Sequence, residues 1–117
     1  MKGYTDLEQS KKLAEFLPLE SADMYWWSSG KRYYIEAMDD GDFNEDKDIR
    51  AWSLAALLRY LHKFKPQVYV PILSPTENKW MLNFVEYGHG TVCKITCDNP
   101  VDACYEMIIK LNELNLL

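Results

Sequence analysis

Only two histidines, His62 and His89, stand in this chain of 117 residues, and neither lies in a pattern that carries chemistry. There is no Gly-x-Ser-x-Gly turn to raise a nucleophile and no glycine-rich loop to cradle a phosphate. Nucleophilic catalysis would need His62 or His89 beside a thiol or hydroxyl and an orienting carboxylate, and nothing in the spacing brings them together. His89, flanked by Gly88 and Gly90, reads as a turn residue. Cysteine is sparse too: Cys93, Cys97 and Cys104 are an odd number with no Cys-x-x-Cys spacing, so a reduced, intracellular protein is expected. No run approaches the roughly twenty apolar residues needed to span a bilayer, and Met1 to Asp6 lacks the apolar run of a signal peptide. The expected location is therefore cytoplasmic, with no membrane partner. Positive charge is in deficit, 13 basic residues against 18 acidic for a net charge of -5. The lysines and arginines come only in pairs such as Lys31-Arg32, so a phosphate backbone would be repelled and nucleic-acid binding is disfavoured.

What is present is an ordinary globular composition, 48% hydrophobic and 26% charged, in a length that suits a single domain spanning residues 1–117. Thr5-Asp6-Leu7-Glu8 fits a capping box, and Leu7, Leu13, Ala14 and Leu17 predict a first helix ending before Pro18. Met24–Trp27 and Arg32–Met38 are rich in aromatic and branched residues and predict a β-hairpin turning at Ser28-Ser29-Gly30. Asp39 to Asp48 is acidic and has little to bury, which predicts a solvated loop. Ser53 caps a second helix running to about His62, with Leu54, Leu57, Leu58 and Leu61 inward. Gln67–Leu73, Trp80–Tyr87 and Thr91–Cys97 predict a three-stranded antiparallel meander, with Pro71 placing the first strand at an edge. In the last strand Cys93, Ile95 and Cys97 share the inward face.

The clearest local signal is the final helix. Asn99 is a capping residue, Pro100 suits the first helical position, and Asp102 complements the positive end of the helix dipole. Cys104, Met107, Ile108, Leu111 and Leu114 then recur at helical spacing, so this face docks on the sheet against Cys93 and Cys97. The expected class is α+β, an antiparallel sheet of about five strands with three helices in the order α-β-β-α-β-β-β-α.

Three groups are candidates for a site. Asp40, Asp42, Asn44, Asp46 and Asp48 place oxygen ligands at alternate positions, as calcium loops do. Glu45, however, occupies the position of the obligatory glycine and Ala51 that of the final bidentate glutamate, so a solvated loop competes with calcium binding. His89, Cys93, Cys97 and Cys104 supply N and S ligands suited to zinc, although the alternation of the strand and the helix assigns the cysteines to the core. The third group, Tyr25, Trp26, Trp27, Tyr33 and Tyr34 with Arg32, lies on the hairpin. Alternate side chains of a strand face opposite ways, so these rings cannot all enter one core, and those left outside suit a protein interface or a stacking surface. Cross-strand pairing under covering helices is the competing reading.

The segments Leu7–Ala14, Trp52–Leu58 and Asn99–Met107 resemble parts of small proteins of gut anaerobic bacteria and their phages or mobile elements. That resemblance implies a genomic neighbourhood and carries no activity, cofactor or catalytic residue. The expected function is a non-enzymatic interaction or accessory protein with a protein partner and no cofactor; the alternative is a small-ligand or metal-binding domain using calcium or zinc.

Overall fold

In a computed structural model that describes residues 1–38 and 42–117, three α-helices pack with two three-stranded antiparallel sheets. Helix α1 (Leu7–Ala14) leads through a short 3-10 turn at Leu19–Ser21 into strands β1 (Met24–Ser29), β2 (Arg32–Ala37) and β3 (Ile49–Ala51). Helix α2 (Leu54–Lys63) precedes β4 (Tyr69–Pro75), β5 (Trp80–Glu86) and β6 (Gly90–Cys97), and α3 (Pro100–Glu113) closes the fold. The α+β class therefore holds, but the described residues form six strands, and they divide into sheets ordered β2-β1-β3 and β4-β5-β6. The strand absent from the sequence reading is β3, only three residues long and recognisable by its pairing, Met24 with Ala51 and Trp26 with Ile49.

Local chemistry explains most helix ends. Asn99 Oδ1 accepts from the Asp102 amide at 2.8 Å, with Pro100 at the first helical position. At the other end Asn115 takes a left-handed backbone (φ 59°), and the amides of Leu116 and Asn115 donate to Leu111 O and Asn112 O, each at 3.0 Å. This Schellman closure turns Leu114 outward to 47% exposure, which corrects its place in the apolar stripe. Ser53 caps α2 as expected, its Oγ accepting from Ala56 N at 3.2 Å. The cap of α1 is Asp6 with Gln9, not Thr5 with Glu8: Asp6 Oδ1 accepts from Gln9 N at 2.8 Å and Gln9 Oε1 from Asp6 N at 3.1 Å. Thr5 is drawn elsewhere because its segment pairs with the start of α2. Its amide donates to Trp52 O at 2.9 Å, and its buried hydroxyl accepts from Trp52 N at 3.1 Å and shares a proton with Ser10 Oγ at 2.8 Å.

The contiguous core lies between α2, α3 and the inner face of the second sheet. Trp52, Leu57, Leu61, Leu82, Phe84, Met107, Ile108 and Leu111 are fully buried there. Cys93, Ile95 and Cys97 stand opposite Phe84, Leu82 and Trp80, so the inward face of β6 is the one its alternation predicts. Pro71 sits on the edge strand β4, where its missing N–H breaks no ladder.

Asp102 ties the N-terminal segment to α3. It accepts from Lys2 Nζ (2.8 Å), Gln9 Nε2 (2.8 Å) and Asn99 Nδ2 (2.8 Å). Burial pushes its carboxyl up, but these three donors and the Lys2 charge outweigh burial and hold it below the usual range. Burial likewise lowers the Lys2 ammonium, and Asp102 and Asp6 more than reverse the effect. For Asp102, the stabilisation is complete above the unfolded value of about 3.9 and is lost as pH falls through the lower folded value. For Lys2 it is complete below the unfolded value of about 10.4 and is lost as pH rises through the higher folded value. Melting curves of the parent and Lys2→Met should therefore differ by a constant gap between those limits and converge at both ends. A gap that persisted in strong acid would contradict this.

Candidate functional site

The first sheet presents two different faces. On one, Trp26 pairs with Ile35 and Ile49, its Nε1 donates to Thr5 O at 3.2 Å, and its ring meets the edge of Tyr4 at 5.8 Å. The N-terminal segment thus covers Trp26, which serves as an anchor. On the other face Tyr25 pairs with Glu36 and Trp27 with Tyr34. The Trp27 and Tyr34 rings stack at 4.8 Å with 29° between planes, a cross-strand pair of the kind that stabilises hairpins. Tyr25 is buried to 4% exposure, its ring meets Phe43 edge-on at 5.6 Å, and its hydroxyl donates to Glu36 Oε2 at 3.2 Å. Burial pushes the Tyr25 phenol up, and Glu36, Asp42 and Asp48 push it further.

Strand β2 is one of the two edges of this sheet, and Ile35 is its single residue that is not exposed. Arg32, Tyr33 and Tyr34 are therefore open to solvent, the two tyrosines at 45% and 42%. The turn that brings the strands together is Gly30-Lys31, later than Ser28-Ser29-Gly30, because β1 runs through Ser29 to pair with Arg32. A positive φ of 70° at Gly30, with none at Lys31, fits a type II′ turn, whose twist matches that of the strands. Of the six residues expected on the binding surface, the structure gathers Arg32, Tyr33 and Tyr34 at the exposed edge. It leaves Trp27 partly covered behind Tyr34 and Trp26 partly covered by the N-terminal segment, and it buries Tyr25.

Because β3 lies beyond β1 from β2, the connection between β2 and β3 has to cross β1. Residues 42–48, its described part after Met38, cross on the Tyr25 face, as the Phe43 ring shows. Of the proposed calcium ligands, Asp40 lies outside the described residues. Asn44 Oδ1 and Asp48 Oδ2 accept from the backbone amides of Asp46 (2.9 Å) and Asn44 (2.8 Å), and Asp42 and Asp46 are exposed. These side chains thus act as turn-forming groups. Among the described residues no three His, Cys, Asp or Glu side chains converge as a metal centre.

His89 sits exposed in the β5–β6 turn and His62 exposed at the end of α2. Cys104 is buried in the core, where burial, with Cys97 adding to it, pushes the thiol up to about 12. Burial also raises Cys97, with Glu106, Asp102 and Asp98 contributing. At pH 8 the Cys104 thiolate is roughly one part in ten thousand, so iodoacetamide should leave it unmodified in the folded protein and label it in denaturant. Labelling of native Cys104 at the rate of a free thiol would contradict this burial.

A hollow of about 240 Å³ lies between the 3-10 turn and α2, lined by Pro18, Glu20, Ala56, Arg59, Tyr60 and Lys63. Burial raises the Tyr60 phenol, which therefore stays protonated and able to donate.

No protein family, curated protein or solved structure matches this chain.

Proposed function

We propose that this is a non-enzymatic protein-interaction module, an accessory or host-modulating factor of a phage or mobile element, with the β1–β2 hairpin as its recognition surface. The observation that carries this reading is the open edge at β2, where Arg32, Tyr33 and Tyr34 are exposed in succession, Tyr34 on the Trp27 face and its two neighbours on the strand on the other, along a strand whose hydrogen-bonding groups also face outward. Tyrosine and arginine are over-represented among interface hot spots, and an open edge accepts another strand. The test is capture of partners by the parent and by Tyr33→Ala with Tyr34→Ala. The variant should fold and lose the partner; a folded variant that retains every partner of the parent overturns the reading. Trp26→Ala is a poor probe, since it breaks the contact with Thr5 O and loosens the sheet.

A second reading, a small-ligand domain, draws on the hollow beside α2, where Arg59 and Lys63 flank an apolar floor at Ala56. A thermal-shift screen of small carboxylates supports it if melting rises in the parent and not in Arg59→Ala. The metal version is tested by elemental analysis and by melting with calcium and zinc, and it fails if neither metal is retained or stabilising.

A further inference from the structure

The hairpin and the acidic segment, separate candidates in the sequence, meet in one cleft of about 300 Å³. Tyr25 and Trp27, neighbours on one face of β1, form its aromatic wall, backed by Phe43 and Tyr34. Glu36, Asp42 and Asp48 line it with three carboxylates against the one cation of Lys47. None of the three carboxylates forms an ion pair within 4.0 Å among the described residues. Glu36 uses Oε2 to accept from Tyr25 and Asp48 uses Oδ2 to accept from Asn44, which leaves the second oxygen of each for a ligand. Trp27 Nε1 is buried and has no acceptor among the described residues.

Three carboxylates without an ion pair among the described residues, beside the Trp27 ring, suit an organic cation, because ring faces attract positive charge and carboxylates pair with it. Calcium would need roughly six to eight oxygens, and much of this lining is carbon. A guanidinium fits better than an ammonium: its plane stacks on a ring while its fork reaches two carboxylates.

We propose that this cleft receives an arginine side chain of the partner protein, stacked against Trp27 and paired with Glu36 and Asp48. This rests on the reading of the hairpin as a recognition surface and adds the chemistry of what is recognised.

The test is a heteronuclear NMR titration of the full chain with a short peptide carrying one arginine, and with the same peptide carrying citrulline, which keeps the shape and removes the charge. The Trp27 indole signal, assigned through its loss in Trp27→Phe, should shift and saturate with the arginine peptide, and the citrulline peptide should bind about tenfold more weakly. Glu36→Gln with Asp48→Asn should reduce the arginine peptide to the citrulline level. Should that variant fail to fold, raising the salt concentration with the parent gives the same answer: the arginine peptide weakens and the citrulline peptide does not. Equal binding of the two peptides, shifts confined to residues outside the cleft, or no shift overturns the proposal. If Tyr33→Ala with Tyr34→Ala loses the partner while the folded Glu36→Gln and Asp48→Asn variant keeps it, the cleft proposal alone falls. If both variants keep it, the hairpin reading falls as well.

Discussion

Trp52→Ala is expected to cost about 3–5 kcal/mol, a large share of the roughly 5–15 kcal/mol that holds a domain of this size together. Trp52 is fully buried, and its indole N–H donates to Ser21 Oγ at 2.9 Å, fastening the 3-10 turn to the start of α2. Its backbone pairs with Thr5 on both sides, the amide donating to Thr5 Oγ1 and the carbonyl accepting from Thr5 N. Truncation therefore leaves a cavity and removes the indole donor from Ser21, and it does so where three segments meet. The midpoint of thermal unfolding should fall by roughly 15 °C or more. Trp27→Ala supplies the control: Trp27 is partly exposed and its ring contact is one cross-strand partner, so about 1 kcal/mol is expected. Equal losses from the two tryptophans would mean that the hairpin belongs to the core.

Phe84→Ala should be comparably severe, about 3–5 kcal/mol by denaturant unfolding. Phe84 is fully buried on the central strand of the second sheet, with Tyr69 at 5.1 Å and Phe64 at 6.3 Å between ring centres. Its cross-strand neighbours are Pro71 and Cys93. Ile72→Ala, one residue along β4 on the outer face and 48% exposed, should cost under about 1 kcal/mol. The hairpin belongs to the other sheet, so partner binding by Phe84→Ala should survive wherever the variant is still folded. Loss of binding in the folded variant would instead couple recognition to the second sheet.

Features fixed within a few residues were legible in the sequence. The start of α3 follows from Asn99 and Pro100, the start of α2 from Ser53, and the inward face of β6 from strict alternation. What escaped depends on distant segments. Thr5 and Asp6 are adjacent residues that both cap well, and the choice between them is made by Trp52, forty-seven positions from Thr5. Strand β3 has no periodicity to read in three residues and exists because β1 offers it an edge. The division into two sheets is likewise a matter of which strands meet, which no local pattern encodes.

The site was half legible for the same reason. Alternation along β1 says that Trp26 must part from Tyr25 and Trp27, but what covers each face is decided by distant segments, Tyr4 and Thr5 against Trp26 and Phe43 against Tyr25. The union of the aromatic and acidic groups depends on β3 carrying the connection across β1, so it could not be foreseen while β3 was unseen.

Site-specific photo-crosslinking tests the central claim most directly: benzoylphenylalanine placed at Tyr34 on the hairpin, at Ile72 on the outer face of the second sheet, and at Lys63 beside the smaller hollow. The hairpin account predicts partner adducts from position 34 and none from positions 72 or 63. Adducts from position 72 or 63, with none from position 34, would contradict it.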